Sequence, residues 1–144
     1  MNFKKQHKNN GLLRQVQQLF STKQVKAPAK QDSIYELVFQ STVDAYIIYD
    51  KETLEVIETN KKVISLFELP PDKEPKGLFM SQFMMRYLAA DSPNLDLLMN
   101  NISDRWTGEA NFITHTKKVF YGLVNTNILD EPSIENEYQV LSIR

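Results

Sequence analysis

The spacing of apolar residues changes along this chain, from a helical period in the first part to a period of two in the last third. Ser33 and Glu36 have the spacing of a capping box, which predicts a helix over about residues 34–42. Near the amino terminus, five apolar residues recur at helical spacing and fall within an arc of about 120° on a helix. This stripe predicts an additional, amphipathic N-terminal helix, and its members are Leu12, Leu13, Val16, Leu19 and Phe20.

The first strands are predicted directly after the capped helix. Residues 45–50 are β-branched and aromatic, which is typical of a buried strand, and a short polar turn at 51–53 leads to a second strand at 54–59. Their close spacing makes the two strands a hairpin. Asn60 then precedes a helical pattern that Pro70 and Pro71 end.

The middle of the chain is predicted to be helical and the last third to be strands. Residues 78–88 are rich in Met and Phe, and Ser92 followed by Pro93 predicts the start of a further helix that carries Leu95, Leu97, Leu98, Met99 and Ile102. Strands are predicted at 106–114, 119–129 and 138–143, with polar turns at 115–117 and 130–133. This order indicates an α+β fold with helices gathered on one side of an antiparallel sheet.

The net charge of −1 conceals two segments of opposite charge. Residues 1–31 contain seven basic residues and no acidic residue, whereas residues 32–144 contain ten basic and 18 acidic residues and carry −8. We therefore predict a basic leader at 1–31 and an acidic globular domain at 32–144. The leader's stripe must be covered, either by the domain or by the same helix of a second copy; attachment to a membrane surface is a weaker alternative. Nucleic acid is not an expected partner, because the leader lacks a recognised nucleic-acid-binding motif and the domain is acidic.

The chain has 144 residues, enough for one domain with a sizeable core, and it contains no cysteine. It has neither an apolar run long enough to span a bilayer nor the apolar region of a signal peptide, so we expect a cytoplasmic protein. Glycine-rich phosphate loops, nucleophile elbows and kinase loops are absent from the sequence. Asp44 and Asp50 flank one strand and are expected at its opposite ends, too far apart to act as a pair in general acid–base catalysis. We therefore expect no catalysis by this segment.

Five short sequence segments, by their residues, order and separations, resemble the PAS domain, a sensory module found above all in bacterial signalling proteins. They are residues 37–40, 44–50, 56–67, 106–109 and 140–144, and the likeness covers about residues 33–144. The resemblance implies a PAS-like (profilin-like) five-stranded antiparallel sheet of order 2-1-5-4-3, with helices that can enclose a ligand pocket. It also implies that Asn60 ties the second strand to the next helix, mainly as a cap, with direct contact to a ligand as the minority alternative. In the family the last strand runs on into a signalling helix, so we expect the sequence to be a piece of a longer protein.

The family's known chemistries can be compared with the residues present. A photoreactive flavin adduct and a coumaroyl thioester both need a cysteine, which is absent here. Haem is not expected, because the helix before the last three strands has no histidine. The two histidines are His7 in the leader and His115 in a predicted turn, where a solvated side chain is the simplest interpretation, and no metal cluster follows from them. The identity of any other cofactor stays open.

A pocket remains as the candidate site. The family's strand alternation places Ala45, Ile47 and Tyr49 of the first strand, and Ile57 and Thr59 of the second, toward the helices. Soft side chains of the Met/Phe-rich middle suit an adaptable cavity, although such residues are more often ordinary core. Buried hydroxyls need hydrogen-bond partners, which makes Tyr49 and Thr59 the most informative candidates. The predicted pocket lining is Ile47, Tyr49, Ile57, Thr59, Phe67, Met80 and Phe83.

The resemblance implies a non-catalytic sensory and dimerisation module, most specifically the input domain of a two-component sensor histidine kinase. The leader helix is the predicted homodimer contact, and a small molecule is a possible ligand. One alternative is a ligand-free protein-interaction scaffold used for homodimerisation. Another is a regulatory domain of a transcription factor or of a cyclic-dinucleotide enzyme.

Overall fold

A computed structural model describes residues 29–100, 105–129 and 137–144 of the chain. In chain order the elements are helix α1 (Ala29–Ser41), strands β1 (Ala45–Asp50) and β2 (Val56–Thr59), helices α2 (Lys61–Leu66), α3 (Met80–Tyr87) and α4 (Leu95–Asn100), and strands β3 (Trp106–Ile113), β4 (Val119–Leu129) and β5 (Tyr138–Ile143). The predicted leader helix, Ile102 and the predicted turn at 130–133 lie outside the described residues. Within the described part, no helix has the length and apolar character needed to cross a membrane.

The five strands form one antiparallel sheet of order β2-β1-β5-β4-β3, which confirms the predicted order. Short segments cover both of its edges. Beside β2, the Val56 N–H donates to the Leu78 carbonyl at 2.7 Å, and beside β3, the Ala89 N–H donates to the Asn111 carbonyl at 2.8 Å. These bonds satisfy backbone groups that an open edge would present to other chains.

The sheet has an inner face and an outer face, which are covered by different helices. Helices α2, α3 and α4 pack on the inner face, where alternate residues of all five strands contribute to one large buried core. Helix α1 lies on the outer face instead. Its Phe39 packs there in a second, smaller cluster with Ile48, Leu129, Tyr138 and Val140.

Two predicted helix caps are wrong. Helix α1 begins at Ala29, so Ser33 lies inside the helix and does not cap it. The helix also runs across the predicted boundary between leader and domain, at residues 31 and 32. Helix α4 begins at Leu95, and the Ser92 hydroxyl accepts a hydrogen bond from the Asn111 N–H at 2.8 Å. Ser92 therefore joins the inter-helix loop to β3, because its hydroxyl accepts from the strand and not from the first N–H groups of the helix.

A β-bulge changes the side-chain alternation of β2. Ile47 pairs with Thr59 and Ile48 with Glu58, but Tyr49 pairs with Val56, so the register shifts between Ile48 and Tyr49. The extra residue reverses the alternation, as bulges do. Val56 consequently lies in the inner core, whereas Ile57 packs against the outer cluster under α1.

Candidate functional site

The inner face of the sheet carries buried polar side chains among apolar ones. Tyr49 on β1 pairs with Gln139 on β5. The next inward-facing residue of β5, Leu141, pairs with Thr126 on β4. Tyr49, Gln139 and Thr126 are fully buried. A buried amide or hydroxyl needs a hydrogen-bond partner, and these three side chains are the polar groups among the apolar residues of this face, so they are the polar features of the candidate site.

The structure brings together five of the predicted pocket residues in the inner core: Ile47, Tyr49, Phe67, Met80 and Phe83. Thr59 is also buried and pairs with the inward-facing Ile47, so it lies on the same face of the sheet. Ile57 was placed wrongly, because the bulge turns its side chain to the outer face. Ala45 lies in the inner core, as the alternation predicted.

Gln139 and Thr126 were missed by the sequence reasoning. Gln139 stands two and four residues before Leu141 and Ile143, which are both inner-core residues, so a period of two places it on the same face. That signal was available in the predicted strand at 138–143. Thr126 accepts a hydrogen bond from the Trp106 N–H at 3.0 Å, a contact that depends on the β3–β4 register and was not readable from the sequence.

The part of the inner face above β3 and β4 is filled by an aromatic cluster centred on Phe67. Its ring centroid lies 5.1 Å from that of Phe83, 5.5 Å from that of Tyr87, 5.4 Å from that of Phe112 and 5.3 Å from that of Phe120. Edge-to-face pairs at these distances are favourable beyond their burial. The aromatic cluster therefore joins the helices to the sheet, and the buried polar groups lie beside it on β1, β5 and the second half of β4.

Asn60 is buried at 1% exposure and stands at the amino-terminal end of α2, but its side chain makes no capping bond to that helix. Its Oδ1 accepts from the Tyr46 N–H at 2.9 Å. Its Nδ2 donates to the Phe39 carbonyl at 3.1 Å, the Thr42 hydroxyl at 2.8 Å and the Asp44 carbonyl at 2.9 Å. The predicted capping role is wrong. Asn60 instead connects the end of β2 to α1 and to the start of β1.

A charged contact joins the turn between β3 and β4 to the loop after α2. Glu68 accepts hydrogen bonds from the Thr116 hydroxyl and, at 3.2 Å, from the Lys118 ammonium group. These donors, together with Thr114, lower the pKa of the Glu68 carboxyl from its ordinary 4.5 to about 2. The contact fixes the hairpin beside the helices that cover the core.

Other pKa shifts lie on the outer side of the sheet. Desolvation raises the pKa of the Glu58 carboxyl, and the Lys76 ammonium, 3.8 Å away, opposes that change only in part. Desolvation and then the nearby Asp50 raise the pKa of the Tyr138 phenol. These groups are near α1 and away from the inner core, so they do not provide acid–base chemistry to the candidate site.

The described residues contain no group of three or more His, Asp or Glu side chains that could hold a metal ion. His115 is exposed in the β3–β4 turn, where its N–H donates to the Phe67 carbonyl at 2.8 Å. Asp44 forms an ion pair with Arg144, with Oδ1 3.0 Å from Nε, and Asp50 accepts from the N–H groups of Glu52 and Thr53. The two aspartates therefore have separate structural partners at the two ends of β1.

Comparison with known proteins finds similarity in structure alone. No family model matches the sequence, and no curated protein matches it. Among solved structures, the PAS domain of an HTR-like protein from Haloarcula marismortui aligns with a TM-score of 0.59 at 15% identity, over 79% of this chain and 91% of that one.

Two further PAS domains align at similar scores. One comes from a two-component sensor histidine kinase, with a TM-score of 0.57 at 9% identity over 81% of this chain and 96% of that one. The other comes from nitrogen regulation protein NR(II) of Vibrio parahaemolyticus, with a TM-score of 0.54 at 16% identity over 76% and 94%. At these identities the alignments establish the architecture, and they agree with the strand order and with the helical layer over the inner face. The chain therefore has the PAS fold.

Proposed function

We propose that this chain is a non-catalytic sensory module of a signal-transduction protein, most specifically the input domain of a two-component sensor histidine kinase. The observation that carries the proposal is the set of buried polar groups, Tyr49, Gln139 and Thr126, on the sheet face enclosed by α2, α3 and α4. A small molecule held among them contacts both the sheet and the helical layer. Its binding shifts the population toward the packing of helices on sheet that it prefers.

The proposed ligand is small and mostly apolar, with a hydrogen-bonding group that faces Tyr49 and Gln139. The apolar remainder would contact the soft side chains of Met80 and Met84, which are both buried in the inner core. Methionine adapts to ligand shape better than the branched aliphatic residues do. We further propose that the module acts in the cytoplasm as a homodimer, with the leader helix as a contact element.

Native mass spectrometry of the protein purified from cells tests the ligand proposal. We expect a stoichiometric small molecule on the wild-type chain and its loss from Gln139→Leu and Tyr49→Phe variants, because both remove a buried polar group at nearly constant volume. Tyr46→Phe is the matched control, since this tyrosine packs against the outer cluster. A chain that carries no small molecule, or a ligand unaffected by both inner-face variants, would contradict the proposed site.

The second candidate function, a ligand-free homodimerisation scaffold, is favoured by the close aromatic packing around Phe67. A dimer without a bound small molecule in the mass spectrum would support this alternative over sensing.

The histidine-kinase assignment is tested separately, by sequencing the gene beyond codon 144. We expect a helix that carries a phosphorylatable histidine, followed by an ATPase domain. A continuation into a DNA-binding domain or a cyclic-dinucleotide enzyme would replace the kinase proposal with a regulatory domain of that other protein.

A further inference from the structure

The inner face of the sheet is polar in places but carries no charge among the described residues. Of the charged residues that the structure describes, Asp50 alone is buried, and the others are half-buried or exposed. The buried core residues under α2, α3 and α4 include no Asp, Glu, Lys, Arg or His. The hydrogen-bonding groups there, on Tyr49, Thr126 and Gln139, are all uncharged at neutral pH.

Asp50 does not bring its charge to the inner face. Tyr49 lies in the inner core and Ile48 in the outer cluster, so the alternation of β1 places Asp50 on the outer side. Its Oδ1 accepts from the N–H groups of Glu52 and Thr53 at 2.8 Å and 2.9 Å. The one buried carboxylate of the described chain is therefore part of the turn between β1 and β2.

The elements packed around Gln139 present no charge to it either. On the sheet it lies between Tyr49 of β1 and Ile128 of β4. The buried residues of the helices above the inner face are all apolar or aromatic. The charged residues at the nearby strand ends pair with each other, since Lys51 Nζ lies 3.2 Å from Glu137 Oε2, and 69% of the Glu137 side chain is exposed.

We infer that the ligand held on this inner face is uncharged in its buried part, for example a neutral alcohol, ketone, amide or lactam with an apolar remainder. This ligand class rests on the sensory function proposed above and specifies it. An isolated ion on such a face loses its hydration without gaining a counter-charge, so carboxylates, phosphates and ammonium groups are excluded. A neutral donor or acceptor is satisfied by the hydroxyl and amide groups that Tyr49, Thr126 and Gln139 supply.

The exclusion of anions extends beyond the described residues. The two segments that interrupt the described domain, 101–104 and 130–136, contain no Lys or Arg. The described Lys and Arg residues after α1 are all half-buried or exposed. A carboxylate or phosphate on the inner face would therefore have no cation from these parts of the chain to pair with.

The molecule released from the purified full chain tests the inference. The chain is unfolded in organic solvent, the released molecule is identified by mass spectrometry, and its charge at neutral pH is measured by capillary electrophoresis. We expect an uncharged molecule. An ionised molecule whose dissociation constant is the same at about pH 6 and about pH 8 would overturn the inference and leave the sensory proposal standing. A chain that releases no molecule contradicts the sensory proposal, and this ligand class with it.

A released carboxylic acid is a distinct outcome, because it can bind in its protonated form. Its dissociation constant would then rise about tenfold for each pH unit above its own pKa, since only the neutral fraction binds. Calorimetric titrations at two pH values measure this ratio. A tenfold rise supports an uncharged site, and a constant value means that the ionised form binds and overturns the inference.

A variant tests the lack of counter-charge without any ligand. Gln139→Glu places a carboxyl of nearly the same size on the inner face, where we expect burial to raise its pKa to about 7 or higher. Because folding raises this pKa, the melting temperature of the variant relative to wild type should be highest below about pH 4.3 and fall as the pH rises toward the folded-state pKa.

Gln82→Glu is the matched control for this variant, since it makes the same change at an exposed position of α3. We expect its melting temperature to follow that of the wild type across the same pH range. An NMR midpoint near about 4.3 for the carboxyl introduced by Gln139→Glu, with no fall in melting temperature relative to the control, would show that a positive group reaches the inner face. That result would overturn the inference whether or not a ligand is found.

Discussion

At the scale of single residues, Asn60 shows how one side chain can replace several backbone contacts. Its amide oxygen accepts one hydrogen bond and its two N–H groups are shared among three acceptors, in a fully buried position between α1, β1 and β2. Two of its acceptors are backbone carbonyls, which only a donor can satisfy. The identity of the Nδ2 atom is therefore essential, which would not be so at a helix cap.

We expect Asn60→Asp to be nearly as destabilising as Asn60→Ala, with each lowering the free energy of unfolding by about 2–4 kcal/mol. Asp and Asn are equivalent at helix caps, but here a carboxylate oxygen would face the Phe39 and Asp44 carbonyls. Urea denaturation measures the effect, and Asn127→Ala, at an exposed position on β4, is the control. A stable Asn60→Asp variant would restore the capping interpretation.

Gly108 is a second residue whose identity the structure requires, because there is no room for a side chain at this position. A Cβ atom there would lie 2.2 Å from Cζ2 of Trp106, the residue two positions earlier on the same face of β3. The indole therefore occupies the space that any other residue would need.

We expect Gly108→Ala to displace the indole and to change the emission maximum of Trp106, which is the chain's one tryptophan. The variant should also lower the free energy of unfolding by about 1–3 kcal/mol, as overpacking does. Fluorescence spectra and urea denaturation of the two proteins provide the measurement. Spectra that superimpose would show that the ring does not lie over this position.

At the scale of elements, the β3–β4 turn is attached to the loop after α2 by Glu68. The folded-state pKa of this carboxyl is lowered, so its ionised form is favoured by folding. The contribution to stability is therefore complete above the ordinary pKa of 4.5 and is lost as the pH falls toward about 2.

We expect the melting temperatures of the wild type and of Glu68→Gln to differ most above pH 4.5 and to converge as the pH approaches about 2. Thermal melts across this range measure the difference, and Glu52→Gln, in the exposed turn after β1, controls for the loss of one surface charge. NMR titration of the Glu68 carboxyl should give a midpoint near 2. A midpoint near 4.5 would show that the contact does not persist in solution.

At the scale of the whole molecule, the helical layer and the sheet are joined through Phe67. This residue directly follows α2 as its C-cap and contacts aromatic rings from α3, β3 and β4 at once. The loss of this ring would therefore reduce the packing between the two layers and also the packing of α2 against α3.

Phe67→Ala should lower the free energy of unfolding by about 3–5 kcal/mol, the usual range for removal of a fully buried aromatic side chain. Phe79→Ala is the matched control, because its ring is 45% exposed, and we expect its effect to stay below about 1 kcal/mol. Chemical denaturation monitored by circular dichroism compares the two variants. Similar losses for both would indicate that the aromatic cluster is not the main junction of the layers.

The amino-acid sequence by itself determined the elements, because strand and helix periods follow from which side chains must be buried. It was sufficient for β1, β3, β4 and β5 within a residue or so, and, through the resemblance, for the sheet order. It also determined which chemistries are excluded, since a missing cysteine needs no coordinates. Its local signals for helix starts at Ser33 and Ser92 were wrong. The helix that contains Ser33 already begins at Ala29, and the Ser92 hydroxyl forms a tertiary hydrogen bond to β3.

The tertiary structure alone decided where side chains point after an irregularity and which polar groups share a site. The bulge in β2 moves Ile57 out of the predicted pocket, because pairing with β1 shifts by one residue at a place that no periodic pattern marks. The four partners of Asn60 all lie within residues 39–46, about 20 positions earlier in the chain, and only folding brings Asn60 to that segment. The exposure of Val119, Tyr121 and Leu123 also depends on where α1 lies, since α1 covers the cluster around Phe39 and leaves these three residues accessible.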